Sequence, residues 1–312
     1  MVRVSQTEAE EQMKAQSVPY LAPGGPAWPG WTPLLVFPLA TMAVRSRLEP
    51  WCFMWILAFA IFFGCKWQTW WERGRITDTG IGRTLGYLFA WPGMDAEAFL
   101  DPQRHALRPE PKEWIWASAK TISGALLLWG VVRRVPEGSD LLAGWVGMVG
   151  IILVLHFGTF HLLSLTWRSV DVDARPIMRA PLSATSLSDF WGRRWNLGFR
   201  QLTHNLIFQP ARARSGLVSA ILLSFLSSGV IHDLVISLPA RGGYGLPTGY
   251  FVLQGLGVVF ERCPMGKRLE LSSGARGWLF VSICAGAPLF LLFHQPFVRG
   301  VILPFLKAVG VR

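Results

Sequence analysis

Residues Leu217–Leu238 read LVSAILLSFLSSGVIHDLVISL, and this stretch decides the fold. A helix rises about 1.5 Å per residue, so a run of this length reaches about 33 Å, enough to cross a hydrocarbon layer about 30 Å thick. Ionisable groups inside such a span are expensive and normally face the bundle interior or a water-filled cavity. The stretch therefore predicts a membrane-spanning helix and marks His232 as a candidate functional residue. The competing expectation is a packing histidine that hydrogen-bonds to a neighbouring span.

The same apolar texture recurs outward along the chain. Candidate spans are Trp31–Val44, Trp51–Cys65, Trp114–Val132, Leu141–Trp167, Leu217–Leu238, Tyr244–Phe260, Trp278–Phe293 and Phe297–Val309. The first, second and last are short for a crossing of roughly 17–25 residues and fit re-entrant or tilted segments. Mean hydropathy is +0.36, and 16% of residues are charged, against about 25% in a soluble domain. The expected fold class is all-α: a polytopic transmembrane helix bundle of about eight spans with cytoplasmic amphipathic helices. Residues 31–312 are expected to form one membrane-embedded domain. The preceding segment 1–30 is polar, then rich in Pro and Gly, and lacks the pattern of a cleaved secretory signal.

A net charge of +11 invites a nucleic-acid partner, but the basic residues are distributed for a membrane. Lys66, Arg73, Arg75, Arg83, Arg104, Arg108 and Lys112 follow the second block. Arg168, Arg175, Arg179, Arg193, Arg194, Arg200, Arg212 and Arg214 follow the fourth, and Arg262, Lys267, Arg268 and Arg276 follow the sixth. The intervening loops carry few. This alternation is the positive-inside pattern for eight spans with both termini cytoplasmic. Trp31, Trp51, Trp114 and Trp278 open spans, as interfacial anchors do. A multi-pass integral membrane protein surrounded by lipid is expected, with no nucleic-acid partner.

The chemistry-bearing patterns are few. Cys52, Cys65, Cys263 and Cys284 have no C-x-x-C spacing and read as reduced thiols. His156 and His161 are five apart and diverge on a helix, so no metal site is expected. Phosphate-binding glycine loops are absent. Arg241-Gly242-Gly243-Tyr244-Gly245 reads as a turn.

Ser186–Phe208 is denser. Ser186 followed by Asp189 matches a helix-start signal. A helix from that point would align Leu187, Trp191, Trp195 and Leu202 on one face and Arg193, Asn196 and Arg200 on another. A helix lying in the headgroup plane explains the amphipathicity. It leaves unexplained the packing of Phe190-Trp191-Gly192-Arg193-Arg194-Trp195-Asn196. Arginines beside aromatic faces can bind a phosphate-bearing, base-stacking ligand; coenzyme A is one such ligand, though the pattern alone does not name it.

Near His232, Asp233 is turned about 100° away on a helix and Ser228 lies one turn earlier. Neutral imidazole at cellular pH accepts a hydroxyl proton, so His232 is a candidate general base. Ser227, Ser228 and Gly229 permit close approach of another helix or a substrate chain.

The block Asp189–Asn196, then Phe199-Arg200 and Phe208-Gln209-Pro210, then Ser228-Gly229-Val230-Ile231-His232-Asp233, resembles the wax synthase branch of the membrane-bound O-acyltransferases. Tyr87–Asp95 is similar to the segment preceding the core there, and the resemblance covers roughly residues 85–240. Asp233 stands where several relatives carry glutamate. The resemblance implies a helical bundle with a tunnel open to cytosol and membrane, with catalytic roles falling on His232 and Asn196. It also implies an acyl-CoA co-substrate held by Arg193, Arg194, Trp191, Trp195 and Arg200, a lipophilic alcohol acceptor, and no further cofactor. No nucleophile elbow suggests an acyl-enzyme, so a ternary complex is expected. A transporter or a non-catalytic lipid-binding protein are the alternative classes; the first would more often show an internal repeat, the second has little need of His232.

Overall fold

The computed structural model describes residues 28–74 and 79–312; the expected segment 1–30 and Arg75 lie largely or wholly outside them. The described residues are helices joined by turns, with no strand among them. The helices are α1 (Trp28–Ala43), α2 (Pro50–Gly74), α3 (Ile81–Ala90), α4 (Ala96–Leu100), α5 (Pro111–Arg134) and α6 (Asp140–Ser169). They continue with α7 (187–194), α8 (197–215), α9 (217–240), α10 (Leu246–Arg262) with a short helical turn at Pro264–Arg268 just beyond it, α11 (Gly274–Leu292) and α12 (295–308). The structure is an all-α bundle.

Every apolar block forms a helix, but not every helix is a span. Among the described residues, those long and apolar enough to cross a membrane are Pro50–Arg73, Pro111–Arg134, Asp140–Ser169, Leu197–Ala240 and Gly274–Leu292. The helix over the first block, α1, has 16 residues and two internal prolines, and α10 has 17. The last block becomes α12, whose Val298, Val301, Ile302, Leu303 and Leu306 are buried in the main core. Burial inside the protein, rather than contact with lipid, accounts for the apolarity of that segment. The eight apolar blocks thus give five helices that satisfy both length and composition.

Those five bury only 17–39% of their most apolar windows inside the protein. Ile115, Ile122, Leu126, Leu223, Leu279 and Phe290 point outward. Such a large outward apolar surface is what a bilayer covers and water does not. This is an integral membrane protein.

Three cores hold the bundle. The largest joins Met54 of α2, Leu128 and Val132 of α5, Met148 of α6, Ile236 of α9, Phe251 of α10 and the buried face of α12. A second packs Tyr87, Trp91, Phe99, Leu100, Val172 and Ile177. A third seats α7 through Leu187 against Ile221, Val258 and Val281. Glu113 and Arg168 tie the start of α5 to the end of α6 with paired hydrogen bonds of 2.8 and 3.2 Å. Gly216, at φ +83, breaks the long helix between a polar arm, α8, and the apolar helix α9. A left-handed break of this kind favours glycine.

Candidate active site

His232 lies near the end of the regular part of α9. Its ring Nδ1 is 2.6 Å from the carbonyl oxygen of Ser228. A carbonyl only accepts, so Nδ1 carries a proton, and in the neutral ring Nε2 keeps its lone pair. The residue one turn earlier does hold the ring, as expected from sequence, but through its backbone. The ring packs on Phe251 of α10 with centroids 4.4 Å apart.

Immediately beyond His232 the helix widens. The N–H of Leu238 bonds the carbonyl of Asp233, five residues back, across Asp233–Ser237. Pro239 supplies a reason: it has no N–H, and its ring crowds the carbonyl four residues earlier, that of Val235. Such wide turns recur at functional sites. Gly229 brings α9 against α10, since a Cβ there would sit 2.7 Å from Thr248 Cα. The small-residue step in Ser227-Ser228-Gly229 therefore admits a helix.

The tryptophan-rich segment reaches this place by ring contacts. Trp191 packs on Phe251 and on Phe225, each with centroids 5.7 Å apart, and its indole N–H reaches Gln254 Oε1 at 3.3 Å. Gln254, fully buried, donates in turn to the carbonyl of Cys284 at 2.7 Å. Phe190 links Trp191 to Trp195 through centroid separations of 5.0 and 5.6 Å. His232 and the two tryptophans thus belong to one aromatic array.

The helix expected from Ser186 starts where predicted. Ser186 Oγ accepts the N–H of Asp189 at 2.9 Å, and Glu261 of α10 accepts the N–H of Leu187. It does not continue through Asn196. That residue adopts φ +44 and ψ +55, and a new helix begins at Leu197. The segment 177–179 pairs across the break, with Arg179 N–H to Arg194 O and Leu197 N–H to Ile177 O, both 2.8 Å. The break resets the helical phase, so neither Leu202 nor Arg200 continues a stripe begun in α7. It also gives Asn196 a backbone role, because asparagine tolerates the left-handed region better than most residues.

Among the described residues the Asn196 side-chain amide has no hydrogen-bond partner; its backbone N–H points to Met178 Sδ at 3.2 Å. The following turn, at Gly198, lies against Pro92 and Gly93. The Pro92-Gly93 segment is in turn held from α2 by Lys66, which is fully buried, donates to the Gly93 carbonyl and sits 3.3 Å over the Tyr87 ring. Asn196 is thus joined to the aromatic array through its neighbour Trp195, and no contact between Asn196 and His232 is present.

The arginines divide. Asp189 holds Arg193 through Nε at 2.9 Å and also binds Arg194 Nε. Arg194 gives NH1 to Ser183 Oγ at 2.7 Å and to the Ala180 carbonyl at 3.2 Å. Arg194 is thereby committed to fastening its own loop. Arg193 is 74% exposed, with only Nε engaged among the described residues. Both line an open polar cleft of about 500 Å³ together with Arg179, Thr185, Ser186, Asp189 and Ser272. Arg179 is held below its ordinary value by burial first, then by the positive charges of Arg175 and Arg200. Such crowding of cations suits an anion. Arg200 itself is exposed.

Sequence reasoning did not single out Arg179, Lys66 or Gln254. The last two carried a usable signal, a polar residue within an apolar run. Arg179 carried none beyond the basic cluster around it.

Residues 174–253 match the membrane bound O-acyl transferase family. The match contains Trp191, Asn196, Phe251 and His232. The chain is 27% identical over 207 residues to the probable long-chain-alcohol O-fatty-acyltransferase 6 of Arabidopsis thaliana, covering 62% of this chain and 60% of that one. It is 31% identical to the long-chain-alcohol O-fatty-acyltransferase of Simmondsia chinensis over 53% of this chain and 55% of the relative. A shorter stretch is 35% identical to acyl-CoA–sterol O-acyltransferase 1 of Arabidopsis thaliana, over 28% of each chain. The chain thus aligns over a little more than half the length of the first two relatives.

Proposed function

We propose that this protein is an acyl-CoA-dependent O-acyltransferase that esterifies a lipophilic alcohol, with His232 as general base. The observation that carries the reading is the state of His232. Its Nδ1–H is tied to Ser228 O, leaving Nε2 as the acceptor, within the segment that matches the family.

The acceptor hydroxyl would give its proton to Nε2 as its oxygen attacks the thioester carbonyl. A tetrahedral intermediate then collapses to the ester, and the departing sulfur takes the proton back from the imidazolium. General-base assistance of this kind is worth about 10²–10⁴-fold. The coenzyme phosphates would dock in the polar cleft, where Arg179 and Arg193 present charge and Arg194 shapes the wall. Trp191 and Trp195 would lead inward from that cleft to His232, and Arg200 would add to the basic rim. Asn196 would orient the thioester or donate to its oxyanion. The alcohol would arrive from the bilayer, and the arginine-rich loops would face the cytosol by the positive-inside pattern.

The test is a donor–acceptor matrix. Membranes holding the protein receive radiolabelled palmitoyl-CoA or acetyl-CoA with long-chain alcohols, sterols and diacylglycerols. Ester above that of empty membranes for at least one pair is expected; long-chain alcohols and sterols lead because the relatives are named for them. A protein that turns over none of these pairs, yet stays folded, is not this enzyme.

A further inference from the structure

Asp233 follows His232 directly, and the reaction above makes no use of it. Its carboxylate is nevertheless the most heavily hydrogen-bonded acceptor in this region. Oδ1 accepts from Ser237 Oγ at 2.8 Å and from the N–H of Gly245 at 2.9 Å. Oδ2 accepts from the N–H of Thr248 at 3.0 Å and from Thr248 Oγ1.

These bonds join two particular places. One is the wide turn that begins just after His232. The other is the first turn of α10, entered through Gly245 at φ +82, the helix that carries Phe251. Thr248 is the residue on which Gly229 closes, so the carboxylate bonds meet the tightest backbone approach between α9 and α10. A carboxylate at a helix start also suits the exposed N–H groups and the dipole there.

A second layer backs the first. Ser237 and His294 are buried, and His294 Nε2 is 3.2 Å from Ser237 Oγ. His294 Nδ1 faces the N–H of Phe297 at 3.2 Å and therefore accepts. The ring proton is then on Nε2, which donates to Ser237 Oγ while that hydroxyl donates to Asp233. Gly243 leaves room for the imidazole, since a Cβ there would sit 2.5 Å from it.

We infer that Asp233 is a positioning residue: by fastening α9 to the first turn of α10, it sets the His232 ring against Phe251 and so aims Nε2. Ser237 and His294 buttress that carboxylate. The kinetic consequence rests on the acyl-transfer reading, whereas the aiming of the ring does not.

The experiment uses the full chain in lipid nanodiscs, comparing wild type with Asp233→Asn, Thr248→Val and Thr248→Ser. One readout is kcat and KM for acyl-CoA. The other is the rate at which diethyl pyrocarbonate modifies His232, followed by peptide mass spectrometry, which needs no turnover. Misplacing a reacting group by about 1 Å can cost on the order of 10²-fold in rate, so kcat should fall by that order in Asp233→Asn with KM little changed. Thr248→Val should fall less, and Thr248→Ser should stay near wild type. Modification of His232 should speed up severalfold in the first two variants and not in the third. Unchanged modification rates in Asp233→Asn and Thr248→Val, at equal folded protein, overturn the inference. If wild type forms no ester, the acyl-transfer reading fails while the modification rates still judge the clamp. Should Asp233→Asn not fold, the two Thr248 variants carry the same comparison.

Discussion

Gly229→Ala adds one carbon at the tightest point between α9 and α10. The new Cβ would lie 2.7 Å from Thr248 Cα, 3.2 Å from its carbonyl oxygen and 3.3 Å from its Cβ. Carbon atoms prefer about 3.5–4.0 Å, so the helices must part by roughly 1 Å at this crossing. The obstructing atoms are mainly backbone, and no side-chain rotation relieves them. Overpacking of this kind costs about 1–3 kcal/mol. Because Phe251 rides on α10 and meets His232 directly, the same shift should lower turnover by about 10-fold or more. Gly249→Ala is the matched control on the facing helix α10, one residue beyond Thr248, with nothing within 4 Å of its added Cβ. It should be neutral or stabilising by up to about 1 kcal/mol. Melting temperature and turnover per folded molecule, measured in one lipid, decide the matter. Wild-type turnover in Gly229→Ala, or equal damage from both substitutions, would refute the packing argument.

Three further outcomes are expected. At Asn196, φ +44 favours glycine over alanine by about 1–2 kcal/mol, so Asn196→Gly should melt like wild type and Asn196→Ala lower; loss of turnover in the glycine variant then isolates the amide's chemical role, and full turnover removes it. Arg179→Gln should raise KM for acyl-CoA about tenfold, the worth of one charge-assisted hydrogen bond, with kcat kept. Arg194→Gln should instead reduce folded yield, because Arg194 binds Asp189, Ser183 and Ala180; the reverse pattern would exchange their assigned roles. The exposed Asp171 carboxyl is held below its ordinary value, first by His105 at 2.7 Å and then by the Ala106 N–H. A depressed folded-state value means the contact is kept above the ordinary carboxylate range and lost as pH falls through the lower one. Amide exchange of Ala106, corrected for intrinsic rate, should therefore be flat from neutral pH down to about pH 5 and rise below about pH 4.

The spanning helices and the unusual placement of His232 were legible because both rest on local composition. The run around His232 needs no partner to be recognised as apolar, and an imidazole inside it stands out. The number of spans was not legible, because burial and lipid select the same residues: α12 is apolar because its Val298 and Leu306 fill the core. The amphipathic reading of 187–202 failed for a different reason. Its phase depends on an unbroken helix, whereas pairing of Arg179 and Leu197 across Asn196 comes from a distant stretch of chain. The roles of Arg193 and Arg194 separate only once Ser183 and Ala180 are in view. The part played by Asp233 is not legible locally: on an ideal helix it is turned about 100° from His232, and its partners Gly245 and Thr248 lie at the start of the next helix.

The proposed reaction rests on His232 taking the proton from the acceptor alcohol. The most direct measurement is ester formation by purified wild type and His232→Ala in the same nanodiscs, with the best donor–acceptor pair and with acyl-CoA binding measured on both. Turnover is expected to fall by about 10²-fold or more while acyl-CoA binds as before. Turnover retained in His232→Ala at equal folded protein would contradict it.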